Sequence, residues 1–390
     1  MHKRSMIKNV LISGIAAGAV MFGCNEFPTR YDRVESYEFR LLDFIYEPAD
    51  AAPGDTVTLK AVFAGKTHDQ LSSIDWKMST KVMVNKYGTD TAFDFQPLEF
   101  ETVDYSFSEK TQSVAFRFEI PDDVIRNSPA IPENWIDLVP NHLKNSLPEE
   151  LSSLKRSELV DSVENYAQNP SSISPQFSLL LPAVLQFLTA RIRIEANVPG
   201  EHRIISNYSV RYNSRFSDLP FISLNKNPTI DSVGIYKVKG ENMVGYDPAK
   251  NKHEFLRLYG PHDSEEDTSA LLVEKGHTYF LVAFTGNVDS SITMDAATGG
   301  PQWLKEDHFT MWYYHLDSAE TEGVPQSKYL SVSNDGGLMV PFYPPLDKRI
   351  TQFVVWLEVN DRMLNEMYRP QGSTLEEFHC QIEYAPGFFD

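Results

Sequence analysis

Apolar residues recur at every second position along several stretches of this chain, the period of a strand with one face in a core. After Asp55, Val57, Leu59, Ala61 and Phe63 share one parity while Thr56, Thr58 and Lys60 take the other, and Pro53 and Gly54 mark the turn before them. The same pattern returns at Ile74 to Met78, with Ile74, Trp76 and Met78 inward, and at Val114 to Ile120. It returns again at Ala190 to Val198, followed by Ile204 to Tyr212. These segments predict antiparallel sheets with one wet face.

The stretch between them differs in kind. Residues 128–188 carry helix-start signals, Ser146 with Pro148 and Ser174 with Pro175, and an amphipathic run through Leu151, Leu154, Leu159, Val163 and Tyr166. A second predicted helix, Gln176 to Leu188, has no charge and contains Pro182, so it must bury itself, either on its own sandwich or against a partner or lipid. A helical insertion into a first β-sandwich over 36–215 accounts for both.

A new strand opens at residue 225 in NKNPTIDSVGIYKV, with Asn227 and Pro228 as punctuation, and begins a second sandwich over 225–386. Its segment GHTYFLVAFTG from Gly276 resembles GDTVTLKAVFAG from Gly54 with one residue deleted. Strands follow at Phe309 to Leu316, Leu338 to Tyr343, Phe353 to Val359 and Phe378 to Tyr384. The expected fold is mainly β, two tandem sandwiches of which the first carries an α-helical insertion.

The N-terminus reads as an export signal. Lys3, Arg4 and Lys8 precede an uncharged stretch from Val10 to Phe22, too short for the roughly 20 residues of a spanning helix. The run Met21, Phe22, Gly23, Cys24 resembles the lipobox of bacterial lipoprotein precursors, with Met21 where that class usually carries Leu. The resemblance implies a signal peptide over 1–23, a lipid on Cys24, and anchoring in the outer membrane, since Asn25 is not the aspartate that retains such proteins in the inner one. A tether over 24–35 spans at most about 40 Å.

Cys380 is the other cysteine, so an acylated Cys24 leaves no intrachain disulfide and stability must come from buried cores. Without the leader, 32 Lys and Arg stand against 54 Asp and Glu, a formal charge of −22. That balance argues against a nucleic-acid partner and leaves membrane attachment to the lipid.

Through the PGDTVTL and VVWLEVND segments and a single Trp on the third strand, residues 34–386 resemble the immunoglobulin-like and PKD-like modules of bacterial surface lipoproteins. Such modules serve spacing, adhesion and assembly, and bring no catalytic residues. In their strand order, Phe309 to Leu316 neighbours Phe353 to Val359. If Trp312 is the core tryptophan, then Met311, Tyr313 and His315 turn outward beside Val354 and Trp356, an apolar, aromatic patch. The first sandwich or residues 291–307, including Trp303, could cover it; a protein could dock there; or a sugar could stack on Trp356 and Tyr313.

No other chemistry is legible. His253 and Glu254 lack a zinc-hydrolase partner, and Gly65, Lys66 and Thr67 lack the first phosphate-loop glycine. Ser152 and Lys155 have Ser-x-x-Lys spacing without the Ser-Asp-Asn or Lys-Thr-Gly segments that accompany it. His308 and His315 lie on opposite faces of one strand, the loop from His262 to Asp267 lacks calcium-loop spacing, and Cys380 alternates with core residues. No cofactor, metal site or catalytic residue is expected. The chain reads as a non-enzymatic envelope lipoprotein binding another envelope protein, with a glycan-binding accessory lipoprotein as the alternative and a hydrolase without recognisable motif as the third reading.

Overall fold

The computed structural model describes residues 40–64, 71–82, 95–107, 111–139, 141–145, 147–172, 180–182, 184–198, 203–219, 222, 224–239, 254–260, 270–287, 290–294, 301–305, 307–318, 339–342, 344, 347–362 and 372–390. Residues 34–390 form one compact unit. The export signal, Cys24, the tether, Gly65 to Thr67, Ser146, Ser174, Pro175 and the loop from His262 to Asp267 lie outside the described residues.

The chain is mainly β, with four four-stranded sheets paired into two sandwich-like bodies. In the first body, β1 (Arg40–Glu47), β2 (Thr56–Ala64), β5 (Glu101–Phe107) and β6 (Thr111–Glu119) make an antiparallel sheet of order β1-β2-β6-β5. Facing it, β3 (Asp75–Thr80), β4 (Gln96–Pro97), β7 (Ala190–Asn197) and β8 (Arg203–Val210) run in the order β4-β3-β7-β8. The alternation of β2 does what its period demands: Val57, Leu59, Ala61 and Phe63 are fully buried, across from Phe118, Phe116 and Val114 of β6. Trp76 packs against this core at its edge, its ring tilted 4.7 Å from that of Phe116.

Helices lie between β6 and β7. Two single turns, α1 (Asn141–Lys144) and α2 (Glu149–Ser152), precede α3 (Arg156–Gln168). The amphipathic run is therefore broken rather than continuous, with Leu154 in the turn between α2 and α3. At the start of α3 the Lys155 amide donates to the Glu158 carboxylate at 2.8 Å. Arg156 ties the helix down by donating to the carbonyls of Ser128 and Ile131 at 3.0 and 2.7 Å. Leu159, Val160 and Val163 enter the first core together with Leu181, Val184, Leu185 and Leu188 of the uncharged run. These described residues of the run pack on their own sandwich.

In the second body, β9 (Thr229–Lys239), β10 (Glu254–Tyr259), β12 (His277–Gly286) and β16 (Met339–Phe342) run in the order β10-β9-β12-β16. The opposite sheet is β11-β18-β17-β15, from β11 (Leu271–Val273), β15 (Asp307–Ser318), β17 (Ile350–Arg362) and β18 (Ser373–Tyr384), with β11 parallel to β18. The hairpin of β13 (Ser290–Met294) and β14 (Pro301–Lys305) stands apart from both.

The weak repeat in sequence has a structural counterpart. The glycines that open β2 and β12, Gly54 and Gly276, both sit in the left-handed region, with φ of 82° and 75°, where a side chain is strained. Each strand then pairs with the opening strand of its own body, β2 with β1 and β12 with β9.

Candidate functional site

The four residues of the predicted patch come together, but not at a surface. Tyr313 and Trp356 are cross-strand partners in the β15–β17 ladder, with Met311 opposite Glu358 and Val354 opposite His315. Trp356 is 1% exposed, Val354 is fully buried, Tyr313 is buried and Met311 is half-buried against the same cluster. Parity placed these side chains on the face away from the body's own core, where Phe353, Val355, Leu357 and Val359 lie. The first body covers that face. Leu42, Val62 and Ala64, on the side of β1 and β2 turned from their own core, belong to the same buried cluster as Tyr313, Val354 and Trp356. This is the covering by the first sandwich that the sequence left open, and it withdraws Trp356 and Tyr313 from solvent. The side chains of Trp303 and His315 lie outside the described residues.

Polar groups fasten both ends of this seam. At one, the Trp356 indole N–H donates to Thr111 Oγ1 on β6 at 2.8 Å and to Glu377 Oε2 on β18 at 3.0 Å, and Thr111 itself donates to Glu377. His379 Nε2 lies 2.6 Å from the other oxygen of Glu377. Burial pushes the Glu377 carboxyl up, but the hydrogen bonds from His379, Thr111 and Trp356 outweigh it and hold the group below its ordinary range. The carboxylate sits between the hydroxyl and the imidazole and accepts a hydrogen bond from the hydroxyl. The arrangement clamps β6 of the first body to β17 and β18 of the second.

At the other end, Asn227 donates to the Tyr46 carbonyl and to Glu47, each at 2.8 Å, while its side-chain oxygen accepts from the Ser373 amide at 3.0 Å. The residue that marked a domain boundary in sequence thus staples β1 to β18. Asn225 bridges in the same way, its amide 3.4 Å from Asp50 and its side chain donating to Asp361 at 2.9 Å. Ser373 donates to Asp43.

Between these contacts lies a cavity of about 280 Å³, walled from the first body by Asp43, Tyr46, Ser206 and Asn207 and from the second by Asp361 and Ser373 among others. None of the described residues lining it is Lys, Arg or His. Among the described residues, no three His, Cys, Asp or Glu side chains gather in a way that could hold a metal ion.

Of the remaining sequence candidates, His253 lies outside the described residues. Ser152 donates to the Glu149 carbonyl at 3.2 Å, closing a helical turn, and Lys155 precedes α3. His308 is buried and its Nδ1 lies 2.7 Å from Thr285 Oγ1. Cys380 is buried and its thiol is pushed up to about 12 by burial, the opposite of an activated nucleophile.

Two exposed features escaped the sequence reading. On the outer face of the β10-β9-β12-β16 sheet, Phe255 is 52% and Leu258 51% exposed, with Phe284 beside them. The rings of Phe284, Tyr236 and Phe255 lean over Gly234, filling the place of its missing side chain. Lys237, next to Tyr236 along β9, projects from the opposite face of the sheet and pairs with Glu254 at 3.1 Å and Glu274 at 2.6 Å. Separately, all seven residues of the edge strand β5 are exposed, and the rings of Tyr105 and Phe107 are parallel within 1° at 6.4 Å between centroids. The alternation Val103, Tyr105, Phe107 was the available signal for β5.

Compared with known proteins, the chain matches no family model and no curated sequence.

Proposed function

We propose that this chain is a non-enzymatic envelope lipoprotein, lipidated at Cys24 and held in the outer membrane, that acts as a binding or assembly module for another envelope protein. We infer further that both bodies are immunoglobulin-like. The first body's order β1-β2-β6-β5 against β4-β3-β7-β8, and a β11 parallel to the last strand in the second, match that topology.

The observation that carries the binding reading is the Phe255, Leu258 and Phe284 surface. It is an apolar patch on an exposed sheet face, the kind of surface that marks interaction sites. It replaces Trp356 and Tyr313 as the surface to test, because those residues are consumed by the seam.

The test is affinity capture of the tagged full-length chain from its native envelope, with Phe255→Ser/Leu258→Ser and Cys24→Ser beside it. The double variant is expected to unfold within about 0.5 kcal/mol of the wild type, as exposed positions do, yet to lose its co-purifying partner; Cys24→Ser is expected to leave the membrane fraction. A partner retained by the double variant would sink the assignment of this face.

A glycan-binding reading is favoured by one observation, the parallel and half-exposed rings of Tyr105 and Phe107, which offer sugar-stacking faces. On an array of neutral oligosaccharides, binding lost in Tyr105→Ala/Phe107→Ala would move the function there, and a blank array would remove it.

A further inference from the structure

The seam between the two bodies buries a carboxyl that is not needed to hold apolar surfaces together. Asp43 follows a register shift between Leu41 and Asp43 in β1, and its neighbour Leu42 enters the buried cluster shared with the second body. Asp43 is itself 7% exposed and accepts a hydrogen bond from Ser373 of the opposite body.

Among the described residues lining the cavity, the other titratable groups are Tyr46 on its own strand and Asp361 on β17. The other polar side chains of the cavity, Ser206, Asn207, Asn360 and Ser373, carry no charge. The described lining of this open cavity thus carries a second carboxyl, Asp361 on the other body, and no Lys, Arg or His. A protonated Asp43 avoids the cost of burying its charge between the two bodies.

We propose that this seam is a proton-operated latch, tight when Asp43 is protonated between the two bodies and loosened when it ionises. The inference concerns the joint within the chain and does not depend on the partner proposed above.

Its direction follows from linkage. Burial, opposed by the Ser373 hydrogen bond, raises the Asp43 carboxyl from an ordinary 3.8 to about 6. Opening the seam returns Asp43 to water and to its ordinary value. The closed form thus binds the proton more tightly, and opening becomes more favourable as pH rises from about 4 through 6. Between pH 5.0 and 7.5 those two values give about a tenfold rise in the open fraction.

Hydrogen exchange of the full-length protein at pH 5.0 and 7.5, normalised for the intrinsic pH dependence of amide exchange, tests the latch in peptides covering residues 40–47 and 373–384. The expected result is about tenfold greater opening at pH 7.5 in the wild type and no such difference in Asp43→Asn. Ser373→Ala, which removes the bond favouring the ionised form, is expected to keep the dependence with its midpoint moved upward, and it serves as the decisive variant if Asp43→Asn fails to fold. Equal normalised exchange at both pH values, an Asp43→Asn protein that keeps the tenfold difference, or an unmoved midpoint in Ser373→Ala would overturn the latch.

Discussion

Trp356→Ala is expected to cost about 4 kcal/mol of folding stability, the middle of the range for truncating a buried aromatic. The ring is 1% exposed and lies in a cluster fed by both bodies, so the cavity left behind cannot collapse from one side alone. Its N–H also donates to Thr111 and Glu377, and removing it deprives a buried carboxylate of a donor. Trp356→Phe separates the two effects: it keeps most of the apolar volume, loses the donor, and is expected to cost about 1–2 kcal/mol. Equilibrium guanidinium denaturation of the wild type and both variants reads the difference. If both variants fall within about 1 kcal/mol of the wild type, the seam is not formed in solution. A loss of ligand or partner binding in Trp356→Ala would accordingly report a broken seam and not a missing contact.

The fate of that tryptophan shows how far a periodic pattern reaches. Alternation assigns each side chain to one of two faces, and the inward faces of β2, β6, β7 and β17 follow their parity in the structure. What covers the other face depends on where a second sheet lies, and no local period records that. Trp356 and Val354 therefore face outward from their own body, as read, and are buried nonetheless. The seam's fastenings join residues such as Asp43 and Ser373, 330 positions apart, through single polar side chains that look like ordinary loop or strand residues in sequence. In β1, the register shift between Leu41 and Asp43 breaks the alternation, which is why RLLDFIYE gives no clean strand signal although it carries the latch residue. The exposed pair in β5 was hidden for the opposite reason. Its alternation is clear, but it fills no core, so a search for core-building strands passes over it.

Gly372→Ala should strike the same joint through the backbone, at a cost of about 3 kcal/mol or more. Gly372 is buried at the entry to β18, and an added Cβ would fall on the Asp361 carboxylate and 2.8 Å from the Lys226 carbonyl. Neither neighbour can yield cheaply. The Asp361 carboxylate accepts the Asn225 hydrogen bond, and its own amide donates to the Gly372 carbonyl at 3.0 Å. Lys226 lies in the segment that Asn225 and Asn227 pin between the two bodies. Gly234 offers the contrasting case. Its added Cβ would meet only ring edges, Phe284 at 3.0 Å and Tyr236 at 3.2 Å, and Phe284 is exposed enough to swing aside. Gly234→Ala is therefore expected to stay within about 1 kcal/mol of the wild type, helped by the lower backbone entropy of alanine in a strand. Thermal and denaturant midpoints of the two variants, measured side by side, decide the matter. Equal losses would mean that the close packing around Gly372 is no tighter than on an open sheet face, and the rigid junction between Asp50, Asn225 and Asp361 would have to be abandoned.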